Sequence, residues 1–382
     1  MKNIFILAGE QSADLHTSEF IKKMQKLDSD ITFWGIGGPM MQKQGFESIF
    51  PFERFSIIGF IEVLKHLRFF SQVKNKIKKE LIRRKPSLVI LVDYPGLNIR
   101  FAKIANQFKI PVLYYISPQV WAWKKKRIHK IKRYTDKIAV IFPFEKELYD
   151  KISADVEFVG HPIAEEIKFR ISKKEFTKKY QLDENKKWLA FIPGSRDIEI
   201  KQILPEMVKT VHKFKKRENN HYEFLISLAD TVSPKIFYPI VEPIKNSISI
   251  VDETYELMKY SDLVICKSGT STLEAGFIGT PTIVVYKTSL LSYLIARHFI
   301  KIGMIALPNI VSGKKIVPEL IQKDVNPTDI IKNIDLILNN NQNYQKMKKE
   351  LSILHEKFGN KKASQNVARI AFSIINETEN KE

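Results

Sequence analysis

SDLVICKSGTSTLEAGFIGTPTIVVYK, residues 261–287, is the stretch on which the fold reading rests. Leu263 to Cys266 is a short apolar run suited to a strand buried on both faces. Lys267-Ser268-Gly269-Thr270-Ser271 is a polar turn of mostly small residues, and Leu273-Glu274-Ala275 are good helix formers. Ser271 with Glu274 three places on has capping-box spacing, which predicts a helix starting at Ser271. Gly279-Thr280-Pro281 stops it, and Thr282 to Tyr286 returns as a strand. The unit is strand, turn, helix, strand, with bare backbone N–H groups at the strand ends. Such a turn favours an anion, but an ordinary capped helix in a parallel sheet looks the same. This stretch therefore points to the fold class and leaves the ligand open.

The same grammar recurs on both sides. In the second half, Trp188 to Ile192 reads as a strand ending in Pro193-Gly194-Ser195-Arg196, and Tyr222 to Ser227 and Ser249 to Val251 add strands to a parallel sheet. In the first half the strands are Asn3 to Ala8, Ile31 to Trp34, Ser87 to Val92, Pro111 to Ser117, Lys137 to Phe142 and Val156 to Val159. The turn after the first strand has one glycine, Gly9, so it is not a GxGxxG dinucleotide fingerprint, which disfavours a nicotinamide enzyme. Gly35-Ile36-Gly37-Gly38 either lets a backbone approach a ligand or makes a tight turn. Asp93-Tyr94-Pro95-Gly96 puts a carboxylate at the carboxyl end of a strand, where such sheets bind ligands; Asp93 could equally be an N-cap or turn residue.

The chain has 382 residues, more than the roughly 250–300 one core serves. The reading is α/β with two doubly wound Rossmann-like domains. The boundary falls in the charged stretch Glu165 to Lys187, giving residues 1–165 and 166–360, with a C-terminal helix in 361–382 packing back on the first domain. Thr328 to Leu338, Tyr344 to His355 and Ala363 to Asn376 read as terminal helices, and 339–343 (NNNQN) as a polar loop. A single cysteine, Cys266, excludes an intrachain disulfide and a Cys-rich metal site. The start MKNIFILAGE is too short an apolar run for a signal peptide, and no window of about 18 apolar residues suggests a membrane span. The expectation is a cytoplasmic chain.

The formal charge of +20 is concentrated. Residues 51–150 hold 22 Lys/Arg against 8 Asp/Glu, a net +14, so the first half faces something anionic, nucleic acid or a lipid surface. Ile57 to Phe70 carries Ile61, Val63, Leu64, Leu67, Phe69 and Phe70 among Lys65, His66 and Arg68. That is a helix buried on two sides, or an apolar patch rimmed by cations on a membrane. Trp121 and Trp123 precede Lys124, Lys125, Lys126 and Arg127, with three more cations by Arg133. The cluster suits an interfacial anchor or a nucleic-acid patch with stacking aromatics.

Ten motifs in order carry a resemblance: AGEQSAD (8–14), GIGGPMM (35–41), SIIGFIEVL (56–64), DYPGLN (93–98), YYISPQVWAWKKKR (114–127), FPFEKELYD (142–150), VGHP (159–162), PGSR (193–196), SGTSTLE (268–274) and LPNI (307–310). Spanning nearly the whole chain, they resemble the lipid-A-disaccharide synthases, glycosyltransferase family 19 of the GT-B plan. SPQVWAW with its basic run is specific to that family, whereas SGTSTLE and PGSR are shared more widely. Ala13 stands where the family usually has Gly, and Gly96 where an acidic residue is more usual, leaving Asp93 as that motif's carboxylate.

The resemblance implies an inverting transfer of 2,3-diacylglucosamine from UDP-2,3-diacylglucosamine to 2,3-diacylglucosamine 1-phosphate, giving the β-1′,6 lipid A disaccharide 1-phosphate and UDP. It implies no metal and no cofactor, no nucleic acid, and work at the anionic cytoplasmic face of the inner membrane of a Gram-negative bacterium; a homodimer is left open. Asp93 is the expected general base. Glu10 and Ser12 would position acceptor or sugar. Ser195, Arg196, Gly269, Thr270 and Ser271 would meet the donor diphosphate, and Glu274 and Asn309 are carried over as ribose and donor contacts. The rivals are another UDP-sugar enzyme of this fold, such as a UDP-N-acetylglucosamine 2-epimerase, and a basic nucleic-acid-binding protein.

Overall fold

The computed structural model describes residues 2–52, 55, 67–121, 126–217, 221–289, 303–359 and 361–380. The chain forms two compact units, Met1–Glu165 with Asn360–Glu382, and Glu166–Gly359.

Among the described residues the first unit holds seven strands: β1 (Asn3–Ala8), β2 (Thr32–Ile36), β3 (Glu47–Ser48), β4 (Leu88–Val92), β5 (Val112–Tyr115), β6 (Lys137–Val140) and β7 (Val156–Phe158). Their order is β3-β2-β1-β4-β5-β6-β7, with every pairing parallel. The apolar runs work because helices cover both faces: β4, LVILV, is buried at all five positions. Phe5, Trp34, Val89, Leu91, Tyr114 and Val140 share one core with Val73, Ile77 and Leu81 of the helix Leu67–Arg84. The C-terminal helix Ala363–Glu379 packs on Gln11–Leu27. Glu165 secures its start, accepting from Ser364 N at 2.8 Å and Ser364 Oγ at 2.5 Å.

The second unit holds β8 (Lys187–Ile192), β9 (Tyr222–Ser227), β10 (Ser249–Val251), β11 (Leu263–Lys267), β12 (Thr282–Tyr286) and β13 (Glu319–Ile321). Their order is β10-β9-β8-β11-β12-β13, again all parallel. In each sheet the order reverses once, between β1 and β4 and between β8 and β11. At such a switch point the crossing helices leave a crevice beyond the carboxyl ends of the strands. Asp93 lies at the first reversal; the PGSR and SGTS turns lie at the second.

The short edge strands β3 and β13 carry too few residues for a pattern, and the sequence reading omitted them. Asn341 to Asn343 are helical rather than loop: the Asn340 side chain accepts from Asn343 N at 3.1 Å and caps Asn341–Phe358. The GIGG segment is tight packing. The buried Asp14 carboxylate accepts from Gly38 N (2.9 Å), Met40 N (2.9 Å) and Met41 N (3.0 Å), and a side chain at Gly38 would run into it. AGEQSAD and GIGGPMM are thus two halves of one contact.

Candidate functional site

At the first switch point Asp93 and Tyr94 follow β4 with φ of 49° and 42°. Left-handed backbone at two consecutive non-glycine residues costs on the order of 1–3 kcal/mol each, so neighbours must hold it. Asn98 Nδ2 donates to the carbonyls of Val92 (2.9 Å) and Asp93 (2.7 Å). Tyr114 Oη donates to Asp93 O at 2.7 Å, and Asp93 N donates to Tyr115 O at 3.1 Å. The helix Pro95–Gln107 has its N-cap at Tyr94, so Asp93 is not a cap. Burial, and then the charge of Glu10, push the Asp93 carboxyl up to about 7, against a bond from the Tyr94 backbone. Glu10 and Ser12 are exposed on the neighbouring turn after β1 and on the helix it leads into.

Two buried groups nearby were not assigned roles from the sequence. Glu145 accepts from Trp121 Nε1 at 3.1 Å and Phe142 N at 3.3 Å, and burial pushes it up to about 8, with Asp93 adding to the rise. His161 accepts from Ile163 N at 3.2 Å through Nδ1; burial, then His16, lowers it to about 3, so it is neutral. FPFEKELYD and VGHP pointed to these positions without distinguishing the chemical residue from its neighbours.

The membrane-contact expectation is revised where it can be seen. Phe69 packs against Phe55 (5.4 Å between ring centroids) and Phe50 (6.5 Å), in the core rather than on a free apolar face. Trp121 is tied to buried Glu145 and meets Phe144 edge-on at 5.3 Å, so it is no exposed anchor. Lys126 is exposed and Arg127 half-buried at the start of the cationic helix Arg127–Tyr134. Ile61, Val63, Leu64, Trp123, Lys124 and Lys125 lie outside the described residues, as do the side chains of Leu67 and Phe70. Among the described residues no helix is long and apolar enough to cross a membrane, and no group of three or more His, Cys, Asp or Glu could hold a metal ion.

At the second switch point the helix Thr270–Ile278 has Gly269 at its N-cap, two residues before Ser271, the cap that the capping-box spacing predicts. Gly269 (φ 157°, ψ −157°) occupies a region essentially reserved for glycine. Thr272 Oγ1 donates back to Gly269 O at 2.7 Å. Gly269 offers no side-chain cap, and Thr272 N donates to Gly269 O at 3.1 Å, which leaves the amides of Thr270 and Ser271 as the donors of the first turn. The expected Ser271–Glu274 box does not form because Glu274 turns inward, accepting from Tyr255 Oη at 3.4 Å. Burial, then the Glu166 carboxylate, raise Glu274 to about 7 against bonds from Tyr255 and Ser271.

Ser195 and Arg196 are exposed at the paired turn after β8, with the Arg196 side chain 78% accessible. Glu199, one turn into the helix Asp197–Lys215, binds the two turns together. It accepts from Ser195 N (3.2 Å), pairs with Lys267 Nζ at the end of β11 (2.7 Å) and stands 3.9 Å from Arg196 Nη1. Gly194 permits this with φ 123°, and a Cβ there would lie 2.4 Å from Glu199 Oε2. Asn309 departs from its expected role. It is fully buried; Nδ2 donates to Val317 O and Glu319 Oε1, and Oδ1 accepts from the amides of Ile316 and Val317. With both donors and both acceptor positions used it ties the helix Leu307–Ser312 to the segment leading into β13 and has no hydrogen bond left for a ligand.

Comparison with known proteins decides the family of the chain. The sequence profile described as lipid-A-disaccharide synthetase matches residues 4–372. The chain belongs to the lipid-A-disaccharide synthase family. A lipid-A-disaccharide synthase from Trichlorobacter lovleyi is 34% identical over 378 residues, covering 99% of this chain and 98% of that one. One from Syntrophus aciditrophicus is 38% identical over 387 residues, covering 99% of each. As a lipid-A-disaccharide synthase the chain is a glycosyltransferase of lipid A biosynthesis. Solved structures share its GT-B fold at low identity. UDP-GlcNAc 2-epimerase from Neisseria meningitidis, bound to UDP-GlcNAc, has a TM-score of 0.62 at 13% identity, covering 98% of this chain and all of its own. The calicheamicin glycosyltransferase CalG4 has 0.63 at 11%, covering 99% of each.

Proposed function

We propose that the lipid-A-disaccharide synthase reaction runs here as transfer of 2,3-diacylglucosamine from its UDP donor to the 6-hydroxyl of 2,3-diacylglucosamine 1-phosphate, with inversion and release of UDP. Asp93 is the general base. The observation that carries this role is the Asp93 carboxyl itself: strained backbone at a switch point, held by Asn98 and Tyr114, with burial bringing it to about 7. A base poised near neutrality both ionises and accepts a proton effectively. Glu10 helps set that value and positions the acceptor with Ser12.

The donor diphosphate sits at the second switch point. Bare N–H groups around Thr270 and Ser271 supply at most about 2 kcal/mol through the helix terminus, too little to stabilise a leaving group alone. Arg196 adds a charge-assisted pair of about 1.5–3 kcal/mol. Glu274 takes the ribose hydroxyls, since a carboxylate beside the diphosphate would repel it. UDP departs without a metal, its charge met by these donors. The cationic surface of Arg127–Tyr134 and the segment before it rest on the anionic cytoplasmic face of the inner membrane, each cation contributing about 1 kcal/mol, and present the lipid headgroups to Asp93.

The test is Asp93→Ala. Turnover of UDP-2,3-diacylglucosamine should be lost while UDP affinity, by calorimetry, stays near that of the parent. Loss of UDP binding instead would remove Asp93 from the role of base.

A further inference from the structure

Lys267 closes β11 in a turn of mostly small residues and has no part in the reaction as proposed. It is the last residue of β11, its side chain only 20% exposed, and its ammonium lies 2.7 Å from Glu199 Oε1. It also leans over the open helix start: a Cβ built on Gly269 would meet Lys267 Nζ at 3.5 Å, its nearest neighbour. A cation is therefore held between the carboxylate that organises one turn and the bare N–H groups of the other.

The charges show why this matters. Without Lys267, Arg196 and Glu199 cancel, and Asp197 beside them, which accepts from Ser233 N at 2.9 Å, would leave the turn net negative toward a diphosphate. With Lys267 that negative charge is offset, and a cation stands beside the amides of the other turn. Glu199 cannot itself face a phosphate, but it can hold the ammonium and the Ser195 amide in register before the nucleotide arrives.

We propose that Lys267 is a second cation for the donor diphosphate, exchanging Glu199 for a phosphoryl oxygen when the nucleotide binds, and that Glu199 is the positioning residue that holds it ready. This rests on the donor site being at the second switch point. The step is an exchange of ionic partners, and no covalent bond changes.

Calorimetric titration with UDP and with uridine, at one ionic strength, tests it. Lys267→Met should weaken UDP binding about tenfold to a hundredfold, the range of one charge-assisted contact, and leave uridine binding unchanged. Lys267→Arg should retain most of the UDP affinity. The decisive comparison repeats Lys267→Met in the Glu199→Gln protein, where there is no partner carboxylate to neutralise. If Lys267 touches phosphate, the loss of UDP affinity persists there. If it vanishes, Lys267 is only the counter-ion of Glu199 and the proposal is wrong. Arg196→Ala separates the layers. Weakened UDP binding in Arg196→Ala with none in Lys267→Met overturns the Lys267 assignment alone, whereas no effect from either overturns the donor site. Thermal melts of each variant identify a folding defect, and Lys267→Arg then carries the test, since loss of its UDP affinity with a normal melt also overturns the proposal.

Discussion

Replacing Asp93 by Asn should make the protein both nearly inactive and, above neutral pH, more stable. The carboxyl is raised from its ordinary 3.8 to about 7, chiefly by burial and then by Glu10. The folded state therefore binds the Asp93 proton more tightly than the unfolded chain does. The group's contribution is most favourable at low pH and is lost as pH rises from about 4 through about 7. In the ionised form the cost is about 4 kcal/mol. Between pH 5 and pH 8 the destabilisation that Asp93 brings grows by about 2.5 kcal/mol. Asparagine cannot ionise, so the stability difference between Asp93→Asn and the parent should shift in the variant's favour by about that amount over this interval. Any fixed gain or loss from altered contacts, such as the bond from the Tyr94 backbone, cancels in the comparison. Urea unfolding of both proteins at pH 5 and pH 8 gives the number directly. A difference independent of pH would show that Asp93 titrates like an exposed carboxylate, and the case for a poised base would fail with it. Turnover should drop by about 10²–10⁴.

Glu10→Gln removes the second cause of the Asp93 shift, so the rise of kcat/KM with pH should move to lower pH while burial keeps it above 3.8; a pH–rate profile unchanged in position would separate the two carboxylates. Asp14→Ala leaves the amides of Gly38, Met40 and Met41 without their acceptor. It should cost about 3 kcal/mol or more in denaturant unfolding, and a loss under about 1 kcal/mol would mean water replaces the carboxylate. Lys126→Glu with Arg127→Glu reverses two cations and should weaken binding to vesicles containing anionic lipid but not to neutral ones. Equal binding of parent and variant to anionic vesicles would remove this surface from the membrane role.

The alternation of strand and helix was legible because parallel strands buried on both faces are written as short apolar runs closed by small residues. LVILV at 88–92 and LVICK at 263–267 are such runs. Their ends also carry the two candidate sites, Asp93 after the first and Gly269–Thr270 after the second. Where the spacing argument failed, a through-space partner outbid the local one. Glu274 bonds Tyr255 instead of capping its own helix, and the Asn309 amide bonds the Ile316 and Val317 backbone and the Glu319 side chain. Phe69 and Trp121 likewise found partners inside the first unit.

The sequence by itself determined the repeating strand–turn–helix plan, the cationic first half and the family, because these depend on order along the chain and on local composition. Only the tertiary structure decided which turns meet. Strand order within a sheet places β1 beside β4 and β8 beside β11, and no local pattern encodes that adjacency. From it follow the contact of Lys267 with Glu199, 68 positions apart in the chain, and the burial that brings Asp93 to neutrality. Proton affinity and ion pairing depend on distance and surrounding dielectric, which arise only when the chain has folded.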